Sequence, residues 1–284
     1  MNYPTNWIDY ELIDIGNVRK LERFGDLITD RPEPAVTKKP LLPKSEWDKA
    51  GFYFREEKNQ NGSWNRDFDD FTLSYPFGAM EMKFHLRQTR FKHLGIFPEQ
   101  ADNWKFIADR CQHLLGNGVV PKVLNLFAYT GGASLAANLS GAEVTHVDSV
   151  KSVVTWAREN ADLNNIDTIR WIVEDARKFV EKTVRRGDVY HGIIMDPPIH
   201  GLGPKGKHWK LNRDLPDMLE QVMKIIHPEH RFFILNTYSP QLSLGDLKKM
   251  LRSTSSFPKH FEATTLGLKA TSGAELELGN LVRF

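Results

Sequence analysis

The spacing of hydrophobic and polar residues changes near residue 87. Before that point, segments such as "YELIDIG" and "FTLSYPFGAMEMKFHLR" are short and aromatic or alternate in polarity, a pattern typical of β-strands. The proline-rich segment "RPEPAVTKKPLLPK" predicts a stiff, extended connector. The first part of the chain therefore predicts a small β-rich domain over residues 1–86.

After residue 87, unbroken apolar strands alternate with helices whose apolar residues recur at positions i, i+3 and i+4. The predicted strands are "KVLNLFAY", "AEVTHVD", "TIRWIVED", "YHGIIMD" and "RFFILNTYS". Strands this apolar have no wet face, so they predict a mainly parallel sheet covered by helices on both sides. Two final strand-like segments, joined by "KATSG" without a helix, predict an antiparallel pair.

The helix after the second apolar strand has an apparent start signal. Ser149 is placed to act as its N-cap, and Val150, Val153 and Val154 are placed to form its buried stripe. The sequence therefore predicts a helix that begins at Ser149.

Composition limits the class of protein. The 284 residues are 40% hydrophobic and 26% charged, as in ordinary globular proteins. A net charge of +2 does not by itself indicate a nucleic-acid binder. The single cysteine excludes an internal disulfide, and neither a secretory leader pattern nor an apolar run of about 20 residues is present. We expect a cytoplasmic protein without membrane contact.

Candidate binding residues follow the predicted strands, at the edge where doubly wound sheets bind ligands. Gly131 and Gly132 follow the first strand and allow the backbone to approach a ligand at the start of a helix. Asp148 ends the second strand and can accept hydrogen bonds from both hydroxyls of a ribose. Asp175 ends the third and can accept one from an adenine amino group. Together these residues predict a nucleoside pocket.

This predicted pocket has no phosphate-binding motif. The sequence contains neither G-x-x-x-x-G-K-[ST] nor G-x-G-x-x-G at this position. A nucleoside bound without phosphates indicates S-adenosylmethionine. We expect no metal, because His227 and His230 have no third ligand nearby in the sequence.

Several motifs carry a family resemblance: "FKHLGIFPEQADNW", "VLNLFAYTGGASLAA", "VEDARKF", "DPPIHGLGPKGKHWKL" and "NTYSP". Residues 123–240 resemble the class I S-adenosylmethionine-dependent methyltransferases, in particular the branch that contains the large-subunit rRNA cytosine-C5 methyltransferases. The resemblance implies an α/β fold over residues 87–284: a doubly wound, mostly parallel, seven-stranded Rossmann-like sheet with an antiparallel last strand. The N-terminal β-rich domain is then a candidate for RNA recognition.

The resemblance also implies a cofactor, S-adenosyl-L-methionine, and the residues that bind it. Gln100 is expected to close the site from the preceding helix. The expected cofactor-binding residues are Gln100, Phe127, Tyr129, Thr130, Gly131, Gly132, Asp148, Ser149, Val150, Asp175, Ala176 and Asp196.

Asp196, Pro197 and Pro198 are the expected catalytic residues. The two prolines fix φ and lead the chain out of the sheet, which leaves the Asp196 side chain facing the transferred methyl group. In relatives with this motif, an amino group donates hydrogen bonds to such acceptors before it is methylated. The alternative is a strand terminator with an acidic helix cap.

The acceptor atom stays open in the sequence. Carbon-5 methylation of cytosine needs a thiolate, but Cys111 lies on an apolar helix face and "NTYSP" has no cysteine. Ribose-oxygen methylation needs a lysine, for which Lys92 and Lys205 are candidates, but the full lysine–aspartate–lysine–glutamate set is not visible in the sequence. Nitrogen-methylating relatives carry an aromatic residue where this chain has Ile199. Nitrogen methylation is the least contradicted option.

The glycine- and lysine-rich segment after Pro198, "HGLGPKGKHWKLNR", suits a path for single-stranded RNA, with Trp209 as an aromatic on which an unstacked base can stack. It also suits a lid over an acidic small substrate, or a solvated loop. The expected substrate-binding residues are Lys92, Ile199, His200, Lys205, Lys207, His208 and Trp209.

The sequence thus favours a methyltransferase that acts on RNA, with rRNA as the expected substrate. One alternative is a methyltransferase of a small molecule or a protein side chain. The other is a non-catalytic RNA-binding factor with a vestigial cofactor pocket.

Overall fold

The computed structural model describes residues 1–57, 62–202 and 208–284, and for Leu202 and His208 it describes the backbone. The chain divides into two compact units. The first comprises Met1–Asp102 and Leu266–Leu278, and the second comprises Asn103–Thr265 and Gly279–Phe284. The expected domain boundary, at residue 86, falls inside the first unit, and a late segment completes that unit.

The first unit is built from strands, as predicted. In its described residues, β1 to β5 form one sheet in sequence order, and β6 pairs with β7 in an antiparallel ribbon. The strands are β1 Tyr10–Gly16, β2 Arg19–Phe24, β3 Leu27–Pro32, β4 Phe52–Glu56, β5 Gly62–Trp64, β6 Phe71–Phe77 and β7 Met80–Leu86. A one-turn helix, α1 (Lys44–Trp47), lies at the end of the proline-rich connector, and the helix Pro98–Gln100 is of the 3-10 type.

Hydrogen bonds to β1 explain why residues 266–278 belong to the first unit. The Thr271 hydroxyl donates to Glu11 Oε1 over 2.7 Å, and the Ser272 hydroxyl donates to Asp14 Oδ1 over 2.8 Å. The Thr271 backbone N–H also donates to the Leu12 carbonyl. Such long-range pairing leaves no periodic signal in the sequence, so a boundary read from pattern alone missed it.

The second unit contains a doubly wound sheet. In the described residues it has seven strands in the order β10-β9-β8-β11-β14-β16-β15. Its elements are α2 Ala101–Gly116, β8 Lys122–Leu126, α3 Gly132–Leu139, β9 Glu143–Asp148, α4 Lys151–Leu163, β10 Arg170–Val173, α5 Ala176–Arg186, β11 Gly192–Met195, β12 His200–Leu202, β13 His208–Lys210, α6 Leu211–Val222, β14 Phe232–Thr237, α7 Leu244–Ser253, β15 Glu262–Lys269 and β16 Glu275–Arg283. Strands β15 and β16 also contribute residues to the first unit.

Strand directions confirm the predicted sheet. Strands β8, β9, β10, β11 and β14 pair in parallel, and β16 pairs antiparallel with β14. The central strands are buried along nearly their whole length, as the unbroken apolar runs predicted. The antiparallel last strand is also as expected.

The start of α4 differs from the prediction. Its N-cap is Val150, which has no side-chain cap bond, and Ser149 is exposed. Val150 is 49% exposed, so it lies outside the buried stripe. The Val150 backbone N–H donates to Asp148 Oδ1 over 2.9 Å, a local bond that fixes the chain just before α4.

Among the described residues, none of the helices has both the length and the apolar character needed to cross a bilayer. In the same residues, no group of three or more His, Cys, Asp or Glu side chains is gathered in a way that could hold a metal ion.

Candidate functional site

The strand order reverses at β8, which creates a crevice at the carboxyl ends of β8 and β11. The chain runs from β8 outward through β9 and β10, and then returns to β11 on the other side of β8. Leu126 and Met195, the last residues of β8 and β11, are paired in register. The next residues, Phe127 and Asp196, therefore leave the sheet side by side.

The turn after β8 has an unusual backbone. Phe127 and Tyr129 both have left-handed φ angles, 57° and 49°. Each such residue costs on the order of 1–3 kcal/mol and persists only where its surroundings enforce it. Gly131 follows with φ 91° and ψ 11° as the N-cap of α3, a conformation that only glycine adopts without strain. Strain of this kind concentrates at functional sites, and here it sits at the switch point.

The two glycines of this turn have different roles. A Cβ on Gly132 would lie 2.8 Å from Cζ2 of the buried Trp104 indole, so Gly132 is needed for packing. A Cβ on Gly131 would lie 3.3 Å from the Ala157 Cβ, a tighter contact than usual, in addition to the backbone strain. Gly131 therefore shapes the turn, and Gly132 lets the start of α3 approach Trp104.

Asp148 ties the end of β9 to the turn after β8. Its Oδ2 accepts a hydrogen bond from the Tyr129 N–H over 3.1 Å, and its Oδ1 accepts one from the Val150 N–H. Burial raises the pKa of Asp148 above its usual value, although the N–H groups of Val150, Tyr129 and Ser149 oppose this shift. The carboxylate is thus oriented by backbone donors at the rim of the crevice.

Asp175 caps α5. Its Oδ1 accepts hydrogen bonds from the N–H groups of Arg177 and Lys178, over 3.0 and 3.2 Å. Its Oδ2 lies 3.5 Å from the Arg177 guanidinium. Helix capping therefore accounts for this acid without a ligand, and its predicted contact with adenine stays a prediction. Ala176, the first residue of α5, is buried.

Two exposed valines provide an apolar surface next to Asp148. Val173, the last residue of β10, is paired in register with Asp148 and is 48% exposed. Val150 follows Asp148 by two residues and is similarly exposed. An apolar surface beside an oriented carboxylate can accept a flat, hydrophobic ring that carries a hydroxylated sugar.

The segment Asp196–Pro198, here called the acid–proline corner, is held by Trp209. Asp196 is half-buried, Pro197 is buried and Pro198 is exposed. The Trp209 indole N–H donates to the Pro198 carbonyl over 2.6 Å, and its ring lies 5.4 Å from the Phe127 ring centroid. Trp209 thus links the corner to the turn after β8.

The expected role of Trp209 as a base-stacking residue needs an exposed ring, and the structure does not provide one. Trp209 is 4% exposed and belongs to the hydrophobic core. Its strand, β13, pairs with β12 so that Trp209 lies opposite Gly201, and this folds the ring inward. A tryptophan between lysines looked exposed in the sequence because the β12–β13 pairing was not predicted.

Three of the other expected substrate-binding residues, Ile199, His200 and His208, lie in or next to the β12–β13 ribbon. Ile199 is half-buried and its carbonyl accepts from the Leu211 N–H, while His200 is exposed in β12. His208 begins β13. Lys205 and Lys207 lie outside the described residues.

Lys92 and Gln100 belong to the first unit. The Lys92 ammonium donates to the Pro32 carbonyl over 3.0 Å, and burial lowers its pKa. Gln100 ends the 3-10 helix Pro98–Gln100.

Sequence reasoning missed a buried polar network behind the turn. The Asn125 amide donates to the Ser134 hydroxyl, which lies 3.0 Å from His146 Nδ1. Burial lowers the pKa of His146 to about 3, so its ring is neutral. The Asn160 amide separately donates to the Thr130 carbonyl over 2.9 Å. The signal was present as single polar residues inside the apolar strands "VLNL" and "VTHV".

Cys111 is confined to the core. It is fully buried, and burial raises the pKa of its thiol to about 12. The thiol therefore stays protonated at neutral pH and cannot serve as a nucleophile.

The strand order, the antiparallel last strand and the switch-point crevice define a Rossmann-like protein of the methyltransferase type. The chain is similar over 99% of its length to a solved SAM-dependent methyltransferase from Agrobacterium tumefaciens, with 34% identity, a TM-score of 0.91 and 91% of that chain covered. The chain belongs to the S-adenosylmethionine-dependent methyltransferases. This confirms the family resemblance found in the sequence.

Two further comparisons are more distant or partial. A proposed methyltransferase solved in complex with SAH is 17% identical, with a TM-score of 0.68 over 94% of this chain and 72% of that one, which shows a shared fold. The ribosomal RNA large subunit methyltransferase K/L of Shewanella frigidimarina is 29% identical over 168 residues, which are 58% of this chain. The chain spans 22% of the length of that relative. No family model matches the chain.

Proposed function

We propose that this protein transfers a methyl group from S-adenosylmethionine to RNA, with rRNA as the substrate class. The observation that carries the proposal is the register of β8 and β11, which brings the strained turn after Leu126 beside the acid–proline corner. The similarity to an rRNA large subunit methyltransferase supports RNA as the acceptor.

The residues at the crevice fit the cofactor. Asp148 presents an oriented, half-buried carboxylate that can accept hydrogen bonds from two ribose hydroxyls. The exposed faces of Val150 and Val173 can cover an adenine ring. Gly131 has no side chain to block the approach of the sugar or the amino-acid portion.

When bound, S-adenosylmethionine supplies an activated methyl group on a sulfonium. The acid–proline corner would orient the acceptor. Pro197 and Pro198 fix the backbone, and Trp209 holds the Pro198 carbonyl in place. Asp196 would accept a hydrogen bond from the group to be methylated and align its lone pair with the methyl carbon.

Nitrogen is the acceptor atom that the described residues favour. Carbon-5 chemistry needs a thiolate, and the thiol of Cys111 is buried and protonated. The strained conformations of Phe127 and Tyr129 favour a working pocket over a vestigial one, because strain without a function tends to be lost.

Two measurements test this function. Calorimetry should detect binding of S-adenosylmethionine, and a radiolabelled methyl group should appear in large-subunit rRNA extracted from cells that lack the gene. Label in a bulk protein or small-molecule fraction, with none in RNA, would overturn the substrate and support the alternative acceptors. Absence of cofactor binding would overturn the enzyme itself and support a non-catalytic factor.

A further inference from the structure

A second cleft lies in the second unit, away from the switch point. It has a volume of about 610 Å³ and is lined by residues of α2, α7, the segment before β15, and the end of β16. Arg283, at that end, is paired in register with Ile234, in the amino-terminal half of β14, and the Phe284 carbonyl accepts from the Phe233 N–H. The cleft thus lies at the amino edge of the sheet, opposite the candidate cofactor site.

The cleft is strongly basic. Its cationic side chains are Arg110, Lys248, Arg252, Lys259 and Arg283, and His260 also lines it. Among the described residues that line it, Glu262 is the single acid, and its carboxylate already pairs with Arg283 over 2.8 Å. Within the described part of the chain, the other four cations have no acidic partner within 4.0 Å.

The ring of Phe106 packs against two of these guanidinium groups. The guanidinium carbons of Arg110 and Arg283 lie 5.0 and 4.6 Å from the centroid of the Phe106 ring. Packing against the ring orients both groups. The Arg283 guanidinium already donates to Glu262 and Asn103, whereas Arg110 has no acidic partner among the described residues and can donate to a ligand. Phe261 adds a second, half-buried ring to the lining.

We propose that this cleft binds backbone phosphates of the RNA substrate, at a distance from the methylated base. Unneutralised cations beside aromatic rings are the arrangement by which proteins hold nucleic-acid strands without reading sequence. The inference rests on the proposed function, because it assigns part of the substrate to a place outside the candidate cofactor site.

Because the cleft and the candidate cofactor site lie at opposite ends of the strands, an RNA that contacts both must have a minimum length. Strand β14 has six residues and separates the two edges by roughly 20 Å at about 3.3 Å per residue. A trinucleotide whose bases stay stacked spans about 10 Å at about 3.4 Å per nucleotide and is too short to reach both ends of this strand. An rRNA fragment of about 30 nucleotides can reach both.

The test measures the affinity of the full chain for both RNAs, with and without the double substitution Lys248→Gln and Arg252→Gln. Two lost phosphate contacts should reduce the slope of log Kd against log salt by about 1.4, which is about 25-fold in affinity for the long RNA at 0.1 M salt. Affinity for the trinucleotide should not change. The matched control is Lys249→Gln with Arg185→Gln, two exposed cations that do not line the cleft.

The outcomes separate the two proposals. Wild-type protein that binds no RNA of either length would overturn the RNA substrate. Wild-type binding of the long RNA that is equally strong in the double variant, or equally weakened in the control, would overturn the cleft alone. A lysine-modifying reagent can also be applied in the presence of inorganic phosphate or of the long RNA. If phosphate protects the cleft and the long RNA does not, the cleft binds a small anion and the proposal is overturned. Cofactor affinity, measured by calorimetry, reports that each variant is folded.

Discussion

The carboxyl and amino ends of the central strands, called here the carboxyl edge and the amino edge, carry side chains of opposite charge that make different kinds of contact. At the carboxyl edge, Asp148 and Asp175 are oriented by backbone N–H groups of the adjoining turn and helix. At the amino edge, Lys248, Arg252 and Lys259 have no acidic partner among the described residues, and Arg252 and Lys259 are exposed. Oriented carboxylates suit the directional recognition of one small cofactor, whereas unpaired cations suit a flexible polyanion. Under the two proposals made above, opposite ends of one sheet would separate chemistry from substrate capture.

The largest effect should come from the acid–proline corner. Asp196→Ala removes the acceptor that would align the substrate, so turnover should fall by about 100-fold, a larger loss than the loss of affinity for RNA. Single-turnover methyl transfer at saturating RNA measures this. Full turnover in the variant would show that the carboxyl edge does not carry the chemistry.

The second effect concerns the cofactor. Asp148→Ala removes the acceptor for two ribose hydroxyls and leaves the Tyr129 and Val150 N–H groups without it, so the Kd for S-adenosylmethionine should rise by about 30-fold. Calorimetry measures the change, and Asp167→Ala, an exposed acid beyond α4, is the control.

The acid dependence of cofactor binding gives a further check on Asp148. Because burial raises its pKa, the carboxylate becomes protonated at a higher pH than an exposed aspartate would as the pH falls. Affinity should therefore decline earlier on acidification in the wild type than expected from the usual aspartate value of 3.8. A pH profile that Asp148→Asn leaves unaltered would assign the decline to another group.

A third prediction distinguishes positioning from base stacking at Trp209. Trp209→Phe keeps a ring against Phe127 but removes the N–H donor to the Pro198 carbonyl, so turnover should fall by about tenfold, equivalent to about 1.4 kcal/mol. The affinity for RNA should not change, because the ring is buried. A loss of RNA affinity with normal turnover would restore the stacking role.

A smaller effect is expected at the amino edge. Lys259→Gln should lower the affinity for long RNA by about fivefold at 0.1 M salt, the contribution of one phosphate contact, without changing cofactor affinity. Lys249→Gln controls for loss of general positive charge. A change in cofactor affinity would indicate that the two edges are not independent.

The smallest effect on activity is expected at Cys111. Cys111→Ala should leave methyl transfer unchanged and lower the free energy of unfolding by about 1 kcal/mol through the lost packing of a buried sulfur. Denaturant unfolding and the turnover assay together measure this. Loss of turnover in a stably folded variant would revive the thiolate mechanism of carbon-5 methylation.

The sheet was predictable because burial of both faces imposes long apolar runs, and those runs are visible in the sequence. The position of Asp148 was predictable for a related reason. It is an acidic residue at the carboxyl end of an apolar strand, and parallel sheets bind ligands at that end. The resemblance of the sequence to a known family added the identity of the cofactor.

The expectations that differ from the structure concern contacts that the sequence pattern does not record. Ser149 looked like an N-cap, but Asp148 bonds the Val150 N–H first. Trp209 looked exposed among lysines, but the β12–β13 hairpin turns it into the core. The cations of the basic cleft come from elements far apart in the chain, so no single motif records them.

The return of residues 266–278 to the first unit has a consequence for biosynthesis. The Thr271 hydroxyl donates to Glu11 across a separation of 260 positions, so the first unit lacks this segment until residues 266–278 have been synthesised. Nascent strands β1 to β3 must wait with unfilled contacts while the second unit emerges. A released chain that ends at residue 265 should therefore display an N-terminal portion that proteases cut readily, and a released chain that includes residues 266–278 should be protected.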